Sequence, residues 1–258
     1  METIKKLKEI CQPHRAKAKH PNDWGYLRHR ELSIYITRFI LRLTGGKIKP
    51  NHLSIFNIFF GLFLLLFIAM TRNQATFILL LILFYFSFLL DKVDGEIARY
   101  KDMRTLRGAY LDEVYHLFVQ NGLILAIAAS KDAVCVGVVG FLLFFLVRYV
   151  NKIRYFIYAK YRPERDEVPI KKNLSKAETL LVGLLNILPL KLCSIARRHD
   201  IFLVLVFVLA VLYFNSTIVW FWFLLGWSAM LMVNVLRFLS LNYLHIDRDV
   251  QLVDKNKL

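Results

Sequence analysis

Apolar and polar positions alternate along this chain in blocks rather than residue by residue. Six apolar runs stand at roughly 52–70, 75–90, 109–129, 133–147, 201–214 and 217–236. Several are shorter than the ~20 residues that a helix needs to cross hydrocarbon. They reach that length if each helix runs on past the membrane at its charged end. The pattern therefore predicts an all-α, polytopic membrane protein with six transmembrane helices. Leu32 to Leu43 is apolar as well, but carries Arg38 and Arg42 at i, i+4, which predicts an N-terminal interfacial amphipathic helix instead of a span. Gly45-Gly46 ends that helix, and Pro50-Asn51 opens the first span. Ala177 to Leu192 contains Glu178, Asn186, Pro189 and Lys191; as a seventh span it would carry the basic C-terminus outside, so it reads as interfacial or re-entrant. The expected layout is a basic cytoplasmic segment over 1–31, a membrane domain over 32–245 and a cytoplasmic tail over 246–258.

Composition agrees. At 57% hydrophobic residues, 21 Phe and a mean hydropathy of +0.46, the chain is too apolar for an ordinary soluble domain. No signal peptide is expected, because the first long apolar run starts only near His52. Cys11, Cys135 and Cys193 share neither pairing nor metal spacing and read as reduced bystanders. A formal charge of +16 raises the question of nucleic acid, yet its distribution answers to membrane topology. With the N-terminus inside, 71–74, 130–132 and 215–216 lie outside, and of the 35 Lys and Arg only Arg72 and Lys131 go with them. Both termini are thus expected in the cytoplasm, in a cell inner membrane, with no nucleic-acid partner. Residues 1–30 read as a solvated basic tail with some attraction to anionic lipid.

Charge changes the picture most at DKVDGEIARYKDMRTLRGAYLDEVYH, Asp91 to His116, which sits between two apolar runs. Carboxylates at the edge of hydrocarbon are costly and mark function. Asp91, Asp94, Gly95 and Ala98 fall at i, i+3, i+4 and i+7, one face of a helix. Gly108, Asp112 and His116 fall at i, i+4 and i+8, one face of the next. Two helix ends then present a carboxylate pair and an Asp–His pair to one cleft, an arrangement suited to metal and phosphate.

These residues resemble the CDP-alcohol phosphotransferase signature: Asp91-x-x-Asp94-Gly95-x-x-Ala98-Arg99, eight residues, then Gly108-x-x-x-Asp112-x-x-x-His116. That signature closes on a fourth Asp, so His116 is the departure. Pro50-Asn51-His52-Leu53-Ser54 also resembles the family's Pro-Asn-x-x-Ser/Thr entry to the first span. The resemblance implies transfer of a substituted phosphate from a CDP-alcohol to a second alcohol, with release of CMP. It implies Asp91, Asp94 and Asp112 as ligands of Mg²⁺ or Mn²⁺, probing a two-metal arrangement that suits hard oxygen donors. It implies a CDP site lined by Asp94, Gly95, Ala98, Arg99 and Gly108, a homodimer, and a cytoplasmic cleft open to membrane lipid. Small side chains let a nucleotide approach the backbone, and Arg99 suits bidentate phosphate contact. Asn51 is either a helix cap or a group facing the nucleotide.

His116 leaves three readings open. As a general base it is better matched to neutral pH than Asp; as a ligand it favours Mn²⁺ or a single ion; or it marks a weakened site, a pseudoenzyme serving as scaffold. Arg148, Lys152 and Arg154 close the fourth span and read either as snorkelling cations or as an anion pocket for an acceptor phosphate. The donor expected is CDP-diacylglycerol, in phospholipid biosynthesis, the alternative being a soluble CDP-alcohol of choline, ethanolamine or polyol type. A transporter is disfavoured, since the spans are almost uncharged at mid-membrane.

Overall fold

A computed structural model describes residues 3–12, 24–161 and 199–255, and every regular element among them is helical. In order they are α1 (Ile4–Cys11), α2 (Trp24–Leu43), α3 (Pro50–Met70), α4 (Gln74–Tyr100), α5 (Leu106–Val114), α6 (Asn121–Ser130), α7 (Val134–Tyr161), α8 (His199–Leu212) and α9 (Thr217–Lys255). Between α5 and α6 the chain stays helical but widens to a π-helical stretch, Tyr115–Gln120. Local chemistry sets the ends. Pro50 stands in the first turn of α3, where its missing N–H costs nothing. Asn73 caps α4, its Oδ1 accepting the Thr76 amide at 3.1 Å, and Thr105 caps α5, accepting the Gly108 amide at 3.1 Å. Gly45 and Gly46, at φ +55° and +73°, end α2 as expected, the Gly46 amide donating to the Leu41 carbonyl at 2.9 Å.

Pro50–Met70, Gln74–Tyr100 and Thr217–Leu236 are long and apolar enough to cross a membrane, which marks a membrane protein. Shorter apolar stretches cover Val134–Val150 and Ile201–Leu212. The three longest helices run on beyond their apolar parts, α4 to Tyr100, α7 to Tyr161 and α9 to Lys255. Phe56, Phe59, Phe63 and Leu66 of α3, with Ile218 and Trp222 of α9, are exposed, a surface that hydrocarbon accepts without cost.

The main core is aromatic. Phe77, Phe84, Phe144, Phe202, Trp220 and Trp227 pack with Val119 and Ile124 at its centre. Glycines let the helices close: a Cβ on Gly61 would collide with Val119, and one on Gly140 with Ile124 and with Ser228 at 2.8 Å. Beside it lies a smaller core of Leu7, Cys11, Ile34, Leu53, Leu90, Val93 and Ile97, where α1 and α2 cover α4. Two expectations change here. Residues 4–11 are a docked helix rather than a solvated tail, because Leu7 and Cys11, one turn apart, are both fully buried. The helix expected from Leu32 begins at Trp24. The 177–192 segment lies outside the described residues.

At one end of the bundle the short loops are tied together. Arg72 pairs with Asp132 at 2.9 Å and donates to the Ala129 and Ser130 carbonyls. Ser130 Oγ donates to the Thr71 carbonyl at 3.0 Å, and Lys131 Nζ to the Phe214 carbonyl at 3.1 Å. The loops that the charge pattern assigned to one side do share one end of the molecule. Asp91, Asp94 and Asp112 lie at the other.

Candidate active site

α4 carries Asp91, Asp94, Gly95, Ala98 and Arg99 down its last turns; α5 opposes them with Gly108, Ala109 and Asp112; the start of α3 closes the third side with Pro50, Asn51 and Ser54. Together with Met103, Arg104 and Thr105, all of these but Asp91 line an open cleft of about 360 Å³. Its walls differ in charge. Asp94 and Asp112 share the cleft with Arg99 and Arg104, and first-turn residues of α3 and α5 line it, bringing the partial positive charge of two helix starts to it.

At the inner edge, one ligand atom each of Asp91, Asp112 and His116 lie within 4.8 Å of one another. His116 Nε2 is 3.7 Å from Asp91 Oδ2 and 3.7 Å from Asp112 Oδ1. The His116 ring is oriented from behind, Nδ1 pairing with Gln120 Oε1 one turn on. With Nδ1 as the donor, Nε2 turns its lone pair toward two carboxylates, an arrangement that is stable when a cation lies among them. Hard oxygens plus one imidazole fit a divalent ion, and the imidazole moves the preference from Mg²⁺ toward Mn²⁺. Lys92 pairs with Asp91 from the protein side.

The expected ligand set and the observed cluster differ by one exchange. Asp94 is not in the group of three; its Oδ2 accepts the Ser54 hydroxyl at 2.6 Å, and it lines the cleft instead. His116 takes the third place. It reaches it from the π-helical stretch, a widened turn of the kind that recurs at functional sites. Asn51 is no cap: the N-cap of α3 is Lys49, and Asn51 Oδ1 lies 3.2 Å from where a Cβ on Gly108 would stand, so it faces the cleft. Gly95 has open space before it; a Cβ there would meet only the Arg99 guanidinium, at 3.5 Å. Glu113 points away from the cluster to α7, pairing with Arg148 Nε and with Lys152 Nζ at 2.5 Å. Those two cations are thus tied to α5 rather than loose at the surface. Arg154 lies in α7, its side chain outside the described residues.

Ser54, Arg104, Thr105 and Gln120 are site residues that no chemical role had singled out. Thr105 and Gly108 carry the spacing of a cap and its amide, and Gln120, with Asn121 beside it, is a polar residue one turn after His116 in an apolar run, so faint signals were there.

A sequence model of the CDP-alcohol phosphatidyltransferase family matches residues 47–196, from just before α3 to beyond α7. The chain belongs to that family. No curated protein matches it. As a CDP-alcohol phosphatidyltransferase it is a transferase of substituted phosphate groups, acting from a CDP-alcohol donor on an alcohol acceptor. The family uses a divalent metal, and the Asp91–Asp112–His116 cluster is a candidate for it here.

Proposed function

We propose that this protein transfers a phosphatidyl group from CDP-diacylglycerol to a small alcohol, releasing CMP, on the cytoplasmic side of a membrane that six helices cross. The observation that carries the proposal is the cluster of Asp91, Asp112 and His116 at the inner edge of a cleft lined by Asp94, Gly95, Ala98 and Gly108. A lipid-linked donor is favoured because the cleft lies at the end of apolar spans, with Leu106 and Tyr110 exposed on α5, the helix that forms one of its walls. The homodimer expected from the resemblance belongs to the same proposal.

In this reading Asp91, Asp112 and His116 hold a divalent ion, Mg²⁺ or Mn²⁺, which would neutralise the diphosphate and the departing CMP. A second ion would need Asp94, whose free capacity faces the cleft. His116 Nε2 lying 3.7 Å from both carboxylates supports a ligand role over that of an isolated base. Arg99, Arg104 and the α3 and α5 N-termini orient the diphosphate, with Asn51 and Gly108 beside the nucleotide. The acceptor oxygen bonds to the lipid-bearing phosphorus while the P–O bond to CMP breaks, and the hydroxyl proton passes to the carboxylate–imidazole cluster. Arg148 and Lys152, both paired with Glu113, are assigned together with Arg154 to the acceptor phosphate.

The test is CMP release by purified protein given CDP-diacylglycerol, Mg²⁺ or Mn²⁺ and a panel of alcohols, with lipid products identified by mass spectrometry. Metal-dependent CMP release with a new phospholipid is expected. Turnover of CDP-choline or CDP-ethanolamine in preference would move the donor to the soluble class, and no CMP from any donor would favour a scaffold.

A further inference from the structure

We infer that α1 is a positioning element for Arg99, holding its guanidinium over the nucleotide cleft through the Cys11 carbonyl, so that nucleotide binding and α1 docking reinforce each other. The inference rests on the nucleotide-site reading above. Arg99 is in the last turn of α4 and lines the cleft, yet its Nε donates to the carbonyl of Cys11, the last residue of α1. Both terminal nitrogens then lie over Gly95, 3.5 Å from the place of a Cβ. A helix C-terminus offers unsatisfied carbonyls and partial negative charge, a natural seat for a guanidinium. Arg99 is thereby pinned at its neck while its fork faces the cleft, and less rotamer freedom is lost when an anion binds.

What keeps α1 in place is a buried carboxylate on the back of the same motif helix. Glu96 is fully buried. It accepts hydrogen bonds from Ser33 Oγ at 2.6 Å, Thr37 Oγ1 at 2.6 Å and Gln12 Nε2 at 2.8 Å, and pairs with Arg30 at 3.4 Å. Gln12 Nε2 also donates to the Arg30 carbonyl at 2.7 Å. A carboxylate so buried is tolerated only when its donors are in place, and these come from α2 and from the residue that caps α1. Leu7 and Cys11 complete the seat. Asp94 and Arg99 both line the cleft, while Glu96 between them is tied to Gln12 at the end of α1 and to α2.

Coupling of this kind is reciprocal: if docked α1 favours the nucleotide, the nucleotide must favour docked α1. Cys11 reports docking, since burial, with Glu96 adding to it, pushes its thiol up to about 11 and leaves it unreactive while α1 is seated. The experiment uses the full-length protein with Cys135 and Cys193 changed to Ser, in detergent with Mg²⁺, and measures both CDP affinity and the rate of maleimide labelling at Cys11. Saturating CDP should slow labelling about ten-fold, and Gln12→Ala should weaken CDP binding about five-fold, the worth of one hydrogen bond. Both effects should shrink to less than about two-fold in an Arg99→Ala background. If that variant no longer binds CDP, Arg99→Lys, which keeps the charge but loses the fork, replaces it. Equal effects with and without Arg99, or CDP that binds without protecting Cys11, would overturn the inference. CDP that fails to bind the unaltered protein would instead bring down the nucleotide-site reading, and the inference with it.

Discussion

The two ends of the helical bundle handle charge in opposite ways. At the end formed by the short loops, Lys131 is buried, its ammonium donating to the Phe214 carbonyl and resting 3.1 Å from the Phe214 ring centre and 4.7 Å from that of Phe77. Arg72 is paired with Asp132. Those cations are spent on holding hairpins together. At the other end Asp91, Asp112 and His116 crowd one another beside an open cleft, a placement that weakens the fold unless a cation enters. One end is built to stay shut and the other to receive something.

That contrast breaks most sharply at the cluster. Asp91→Ala or Asp112→Ala should cut CMP release by roughly 10³-fold or more, as should excess chelator on the unaltered protein, because the charge that stabilises the leaving phosphate goes with the metal. Asp112→Ala should melt no lower than the parent in metal-free buffer, since a like-charge neighbour of Asp91 has been removed, whereas Asp91→Ala also takes the partner from Lys92. A lower melting temperature for Asp112→Ala would mean that its carboxylate stabilises the fold, as the groups at the closed end do.

His116 comes next. His116→Ala should lower turnover by roughly 10²-fold at limiting metal, within the span associated with losing one acid–base or ligand group. If His116 is a ligand, raising Mn²⁺ recovers much of that loss, and His116→Asp restores activity with a shift in preference from Mn²⁺ to Mg²⁺. A loss that metal concentration leaves untouched would assign His116 to proton transfer alone. At the packed crossings the expected effect is on stability only. Gly140→Val drives a side chain into Ile124 and Ser228 and should cost about 1–3 kcal/mol in unfolding free energy.

Arg148→Ala should raise the acceptor's KM several-fold more than the donor's, by loss of a charge-assisted contact. Equal small changes in both would reduce the Arg148–Glu113–Lys152 group to a brace between α5 and α7. The smallest effect belongs to the closed end. Lys131→Met should leave catalysis unchanged and lower the melting temperature slightly through loss of aromatic and carbonyl contacts. Burial pulls the Lys131 ammonium from 10.5 down to about 8, with Arg72 contributing. The unfolded chain then binds more protons than the folded one between those values, so stability should rise as pH climbs from about 8 toward 10.5. A Met variant showing the same rise would place its origin elsewhere.

Taken by itself, the sequence determined the helical class, the membrane character and the family, because each rests on properties that survive without coordinates. Apolar runs spanning hydrocarbon must be helical for lack of other backbone partners, and the spacing from Asp91 to His116 states which side chains share a face. The stop at Gly45-Gly46 was legible for the same local reason. Only the tertiary structure decided which acids gather. Asp91 and Asp94 share a helical face, yet α5 approaches Asp91 and the α3 start approaches Asp94, so one joins His116 and the other takes Ser54's hydroxyl. His116 keeps the i, i+4 relation to Asp112 that the spacing gave, but it lies in a π-helical stretch that the 3.6-residue period does not foresee. The seat of α1 was hidden likewise: Leu7, Cys11 and Gln12 lie in a basic, polar stretch, and only the packing of α4 and α2 supplies the carboxylate and the apolar pocket that order it. Local pattern fixes what a helix is; which neighbour meets which face depends on crossings set by distant residues such as Gly61 and Val119.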